Sequence, residues 1–552
     1  MKRTIIGLLA MTAAVPAMAV LPPVIGDPWP VEASNLSKTV KTISSDVFEG
    51  RAPGSQGEKK TIDWLIQQYQ SLGLEPAGDN GGWTQAVPLV HTRLGKPEHL
   101  EIATRQGVMP LELDKDIYLT SLRPVDKIIL NNAPVVFVGY GVSAPERGWD
   151  DFKNVDLKGK IAVFLINDPD FAAVSGDDAF GKFGGRAMTY YGRWTYKFEE
   201  AARRGAVAAL IVHDTQGAGY GWNTVTAPAG EGYDIIRGET DKPVALQGWL
   251  SQSAAETIFA KSGLNFENLK KQARQKSFRP VTLKNSGFSA SLPLTYQNIT
   301  SYNVLGRIKG AKRPDETIMF GAHWDAYGIG APDSEGRTIR PGAIDDGVGV
   351  AAVLELARLF KSDQHQPDRS LLFASWTAEE RGILGSSYYA EHPLYPLDKT
   401  VANFTIDVLQ TAGRSNDVLL IGAGQNTLEN DLAKVAKGED RVVKPELLPE
   451  RGLFFRADHL PFARKGVPVL LMMGMAGAYD LQDGGEAAGE KWLSGYMKCY
   501  HQTCDRWTEN ANFQGAAQDV KLLYLMGEDL AFSGRWPQWL PNSEFKTKRA
   551  PK

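Results

Sequence analysis

The chain has 552 residues, enough for two or three domains at roughly 100–200 residues each. Hydrophobic residues make up 43% and charged residues 23%, the balance of a globular chain with a large core rather than a disordered one. A formal net charge of -3 leaves no electrostatic case for binding nucleic acid or an anionic membrane surface.

The chain opens with MKRTIIGLLAMTAAVPAMAV. Lys2 and Arg3 form a positive end, Ile5 to Val15 a short apolar run, and Ala17-Met18-Ala19 a small-x-small cleavage pattern. Residues 1–19 are therefore expected to be a signal peptide, with Val20 starting the mature chain. An N-terminal membrane anchor is the alternative, but the run is short and stops at Pro16. No later segment offers about 18 uninterrupted apolar residues. The expectation is an exported protein, periplasmic or extracellular, without stable membrane insertion.

Residues 36–94 read as the start of a globular unit. In GEKKTIDWLIQQYQSLGLEP, the residues Ile62, Leu65, Ile66, Tyr69 and Leu72 fall at helical spacing, and Gly73 is a natural stop. From about 95 to 295 the texture changes. PVVFVGYG and KGKIAVFLI are short valine- and isoleucine-rich runs that predict strands. KFEEAARRGAVAALIVHD predicts a helix, a turn at Gly205 and another strand. This block reads as an inserted domain with its own core and no cluster of ligand-type residues.

From about 297 the pattern is strand, loop, helix, repeated: TIMFGAHWD, DDGVGVAAVLELARLF, RSLLFASWTAEE, VANFTIDV and VPVLLMMG. Such alternation predicts an α/β fold with a mainly parallel sheet, whose ligands bind at the carboxyl ends of the strands.

The polar residues of interest fall at those ends. His323 and Asp325 follow an apolar strand, where alternate residues share a face and a carboxylate can fix a histidine ring. Alone, this pair reads more naturally as a hydrogen-bonded structural histidine. Asp345 and Asp346 precede a helix; capping accounts for one aspartate and leaves the other unexplained. Glu379 and Glu380 end a buried strand, although acidic residues at a solvated helix start are ordinary. Asp407 sits in an apolar strand, where a carboxylate is costly unless paired or holding metal. YHQTCD supplies His501, with Asp505 four residues on. Together these offer imidazole and carboxylate donors suited to zinc. Paired metals activate water and clamp a tetrahedral intermediate, and a spare glutamate, Glu379, can carry the proton. Cys499 and Cys504, the only cysteines, bracket Tyr500 and His501. An exported chain permits a disulfide here, and a turn at this spacing brings Cα atoms within about 7 Å; two buried free thiols are the alternative.

Taken in order, GRAPGSQG, GAHWD, GAIDDGVG, TAEERGILGS, NFTID and YHQTCD resemble the motifs of the co-catalytic zinc aminopeptidases, in the family that also contains glutamate carboxypeptidase. The resemblance implies a three-layer α/β zinc-peptidase fold with a mixed, mainly parallel central sheet. It implies two zinc ions held by His323, Asp345, Glu380, Asp407 and His501, with Asp345 bridging. It makes Glu379 the general base, Asp325 the residue orienting His323, and Asp346 the residue following the bridging aspartate through a cis peptide. Asp505 is expected beside them. Tyr500 matches an oxyanion-stabilising tyrosine or packs. GWDDFKNVDLKGKIAVFL and AARRGAVAALIVHD resemble a β-rich protease-associated (PA) domain. The implied layout is 20–94 and 296–552 as the catalytic domain, with 95–295 inserted. Departures from the family pattern, at Gly347-Val348-Gly349 and Ala457, touch no expected ligand. Asp458 and His459 either line the site or form a structural pair. The implied activity is removal of N-terminal amino acids from peptides, with carboxypeptidase or dipeptidase action, a one-zinc glutaminyl cyclase or an inactive receptor-like protein as rivals. Neither the oligomeric state nor the preferred side chain is legible.

Overall fold

The structure, a computed structural model, describes residues 31–238, 242–541 and 543–546. The expected signal peptide lies outside the described residues.

Helix α1, Ala33–Ile43, buries Leu36, Val40 and Ile43 on one stripe. Helix α2, Gln56–Ser71, begins where the Ser55 hydroxyl accepts from Glu58 N. Its buried face carries Ile62, Leu65 and Tyr69, three of the five residues singled out by spacing, while Ile66 and Leu72 pack at the margin.

Strand β1, Thr84–Leu94, leads into a second group of strands: β2 (Ile117–Thr120), β3 (Val135–Phe137), β4 (Ile161–Leu165), then helix α3 (Trp194–Arg203) and β5 (Ala208–Val212). Gly205 makes the turn between α3 and β5 at φ +75°. Next come β6 (Glu231–Ile235) and β7 (Leu246–Leu250). β3, β4, β5 and β7 pair in parallel, with β2 antiparallel beside β7, around an apolar core that includes Phe137, Val163, Leu210 and Phe259.

The long strand β8, Gly287–Ile308, then passes from one region to the other. Its first part pairs with 99–103 and 127–133, and its second with β1 and with the later strand 369–376.

The remaining elements build the layer that carries the site. They include β9 (Arg313–His323), α4 (Val348–Ser362), β10 (Arg369–Trp376), α5 (Leu384–Glu391), β11 (Thr400–Ile406), β12 (Val469–Met472), α6 (Gly485–Cys499) and α7 (Gln514–Phe532). The main path of the sheet runs β6-β1-β8-β10-β9-β11-β12. The block β10-β9-β11-β12 is parallel, and the strands from β8 outward are antiparallel, so the sheet is mixed as expected. Strands covered on both faces must be apolar throughout, which is why they read as continuous hydrophobic runs. Along β9, Ile318, Phe320 and Ala322 face the core under α1, α4 and α7, while Met319 faces the opposite layer with Trp376, Tyr389 and Phe462.

Register places the carboxyl ends together: His323 stands opposite Trp376, and Ile406 opposite Met472. The loops that follow these strands must therefore converge. Among the described residues, no helix is long and apolar enough to cross a membrane.

Candidate metal centre

Five chain segments meet at that edge. His323 ends β9, and its Nε2 lies 3.2 Å from Asp345 Oδ1, 3.8 Å from Asp407 Oδ1 and 3.9 Å from Glu379 Oε2. His501 Nε2 lies 3.3 Å from Asp345 Oδ2 and 3.0 Å from Glu380 Oε2. Asp345 thus presents one oxygen to each histidine. The Asp345–Asp346 peptide is cis.

Neither His323 Nε2 nor His501 Nε2 has a properly directed hydrogen-bond partner, although both are buried. Buried polar atoms are rarely left so. Donors about 2.0–2.2 Å from one tetrahedral ion lie roughly 3.3 Å apart, the spacing seen here. The set of imidazole and carboxylate groups fits two divalent cations. One point is surrounded by His323, Asp407 and Asp346, the other by Asp345, Glu380 and His501.

The sequence left open which aspartate caps the helix. Asp346 Oδ1 accepts from Gly349 N at 2.9 Å and from Val408 N at 3.1 Å, tying the start of α4 to the residue after Asp407. Asp345 accepts no such bond and is free to face both histidines.

Three further groups hold the loops. Asp325 Oδ1 accepts from Glu379 N at 2.9 Å and lies 3.6 Å from His323 Nδ1, whose nearer partner is the Asp325 carbonyl oxygen at 3.1 Å. Asp505 accepts from Ile344 N at 2.9 Å and Asp345 N at 3.1 Å, clamping the aspartate loop. Arg51 was not singled out from sequence. Its buried guanidinium donates to the carbonyls of Ile43, Trp324, Pro341 and Gly342. The signal was GRAPG itself, an arginine between glycine and small residues in the first recognised motif.

Glu379 and Glu380 sit in a tight turn rather than at a helix start, since α5 begins only at Leu384. The turn needs left-handed backbone at Ala378, Gly382 and Ile383. Tyr500 packs 3.6 Å from the His501 ring, centroid to centroid, and its hydroxyl accepts from Arg456 Nη2 at 3.3 Å. Tyr327, also missed from sequence, covers His501 from another direction at 4.3 Å. Cys499 and Cys504 form a disulfide with Cα atoms 5.1 Å apart, closing the loop that carries His501. Asp458 accepts from Ser386 Oγ, while His459 packs edge-on against Phe454.

The electrostatics reflect crowding of acids in a buried place. Burial, with Asp407, Asp458 and Glu380 adding to it, pushes Glu379 well above the usual carboxyl range despite His323. Burial and the Asp345 charge push Glu380 up to about 7. Burial draws His501 down, but Glu380 and Asp345 outweigh it and hold the imidazole up at about 9. Burial pushes the Tyr500 hydroxyl well above its ordinary value, so it stays a donor at neutral pH. A cluster that raises its own histidines in this way attracts positive charge.

Residues 303–524 match Peptidase family M28. The chain is 39% identical over 114 residues to Aminopeptidase NAALADL1 of Mus musculus, covering 20% of this chain and 14% of that protein. It is 30% identical over 231 residues to Leupeptin-inactivating enzyme 1 of Streptomyces exfoliatus, covering 40% of this chain and 47% of that one. It thus spans less than half of each of these relatives. In structure it resembles an aminopeptidase from Aneurinibacillus sp. strain AM-1, at TM-score 0.51 and 19% identity over 92% of this chain and 96% of that one, which shows a shared fold. The segment that matches this family, residues 303–524, contains all five of the expected metal ligands.

Proposed function

We propose that this protein is a di-zinc exopeptidase that removes amino acids from the N-termini of peptides. The observation that carries the reading is the placement of Asp345 between His323 and His501, with a further carboxylate beside each. His323 and Asp407 would hold one ion, Glu380 and His501 the other, and Asp345 both. The mixed imidazole and carboxylate donors of the two groups support the choice of metal. Asp346, already committed to two backbone N–H groups, serves to position the loop.

When bound, the two ions supply Lewis acidity that polarises the scissile carbonyl and makes a water acidic enough to attack near neutral pH. Glu379 takes the proton of that water at its carboxylate and returns it to the departing amine. Asp325 keeps Glu379 and His323 in a fixed relation through the Glu379 N–H bond. The Tyr500 hydroxyl, steadied by Arg456, donates to the developing oxyanion. The substrate's ammonium group would be drawn to Glu380 and Asp407 among the surrounding acids. Residues 95–295 act as an inserted PA-like domain walling the cleft, and residues 1–19 direct export to the periplasm or beyond.

The test is the polarity of cleavage on a five-residue peptide. Acetylating its N-terminus should abolish hydrolysis, while amidating its C-terminus should leave it. The opposite pattern would make the protein a carboxypeptidase with the same metal centre.

A further inference from the structure

The motif GRAPGSQG runs into helix α2 and is followed by an acid that neither the metal centre nor the apolar core accounts for. Glu58, in the first turn of α2, is 5% exposed. Ser55 and Glu58 have the spacing of a capping box, in which the glutamate reaches back to the backbone ahead of the helix. One of its oxygens does so: Oε2 accepts from Gly54 N. Capping needs no more than that. The other oxygen, Oε1, turns inward and accepts from Ser301 Oγ of β8 at 2.6 Å.

Ser301 Oγ is also hydrogen-bonded to Thr377 Oγ1, and both residues are fully buried. Thr377 follows β10 and opens the turn that carries Glu379. Its N donates to Asn303 Oδ1 at 3.1 Å, and its carbonyl accepts from Gly385 N at 2.9 Å. Two residues on, Glu379 N donates to Asp325. Three side chains thus link the N-terminal helix to the turn of the base. One proton sets the direction of this chain. A carboxylate only accepts, and a serine hydroxyl has a single proton to give. With Glu58 ionised, Ser301 donates to it and must accept from Thr377. With Glu58 protonated on Oε1, the chain can run the other way and free the Thr377 hydroxyl proton to turn elsewhere.

No cation is paired with Glu58 among the described residues. Lys59 and Lys60, on its own helix, pair with Asp63 and Glu49, and Arg51 donates to carbonyls. The charged group that faces it from the loop after β9 is a second acid, Asp325. Burial therefore pushes Glu58 up to about 7, opposed by the Ser301 and Gly54 bonds and aided by Asp325.

We propose that Glu58 is a positioning residue for Glu379: its charge state sets the direction of the Glu58–Ser301–Thr377 chain and, with it, the turn that carries the base. This rests on the reading of Glu379 as the base.

The experiment measures kcat and KM of the full zinc-loaded chain on a free-amine dipeptide amide from about pH 5.5 to 9, for wild type, Glu58→Gln, Ser301→Ala and the double variant. Glutamine keeps a capping oxygen but cannot ionise. The wild-type to Glu58→Gln ratio of kcat should be near one at the acid end, where both side chains are neutral, and rise to about 3- to 10-fold above about pH 8, with KM unchanged. A ratio taken at each pH cancels losses common to both proteins, and a cap alone predicts a constant one. Between Ser301→Ala and the double variant the ratio should be flat. Ser301→Ala leaves the cap intact and should show the wild-type to Glu58→Gln deficit by itself. A ratio constant within about twofold, or a pH dependence that survives Ser301→Ala, would overturn the proposal. Urea unfolding of the chelated chain reads Glu58 without activity. A carboxyl raised from 4.5 to about 7 stabilises the fold while protonated, and that contribution is lost as pH rises through this window. The midpoint of wild type should fall there relative to Glu58→Gln; parallel curves would reject the proposal. Near-normal turnover of Glu379→Gln would strike the base assignment instead, and the unfolding curves would still decide whether Glu58 ionises in this range.

Discussion

Arg51→Met tests whether the metal centre depends on a side chain remote from it in sequence. Arg51 is fully buried and donates to four carbonyls: Ile43 O at 3.0 Å, Trp324 O at 2.6 Å, Gly342 O at 2.8 Å and Pro341 O. Trp324 follows His323, and Gly342 lies three residues before Asp345, so one guanidinium fixes the entry to both. Methionine keeps much of the length but has no donor. Each bond from a charged donor contributes about 1.5–3 kcal/mol net, so four lost bonds give roughly 6–12 kcal/mol. Removing the buried charge returns a desolvation cost of several kcal/mol. The expected net loss is about 3–5 kcal/mol, a large share of the roughly 5–15 kcal/mol typical of a folded domain. Urea unfolding of the chelated chain reads it as a lower midpoint, and zinc analysis of the untreated protein should show reduced occupancy. A loss below about 1 kcal/mol with unchanged zinc would refute the reasoning.

Glu379→Gln keeps the shape and the Asp325 contact to Glu379 N but cannot accept a proton; kcat should fall by about 10²–10⁴ with zinc retained, and near-normal turnover would place the base elsewhere. Replacing Cys499 and Cys504 by serine opens a loop with a sequence separation of 5. The chain-entropy estimate for so short a loop is about 2 kcal/mol, measurable as a lower denaturation midpoint. Native protein should show no titratable thiol before reduction, and two would rule the bridge out.

Much of this site was legible because each candidate residue stood where a local pattern broke. Asp407 was expected within an apolar strand and stands directly after it, and His323 ends another, so both were conspicuous against their neighbours. Helix α2 showed itself through Ile62, Leu65 and Tyr69, whose spacing needs no tertiary information. What was not legible depends on partners distant in sequence. Arg51 acts on carbonyls 273 and 291 residues away, and nothing local marks an arginine as a backbone clamp. The division of labour between Asp345 and Asp346 turns on which carboxylate meets Gly349 N and Val408 N, which spacing alone does not decide. Glu379 and Glu380 read as the end of a buried strand, with a solvated helix start as the ordinary alternative; positive φ at Ala378, Gly382 and Ile383 instead makes a turn that brings them beside the histidines. The passage of β8 between the two regions was hidden because its middle, from Thr295 to Ile299, is largely exposed and polar.

The central claim is that His323, Asp345, Glu380, Asp407 and His501 hold two zinc ions that hydrolysis requires. The most direct measurement is metal analysis of the purified full chain beside its peptidase rate before and after chelation. The account expects close to two zinc ions per chain, loss of activity on chelation, and lower zinc content in His323→Ala and His501→Ala. Full hydrolytic activity in a rigorously metal-free preparation would contradict it.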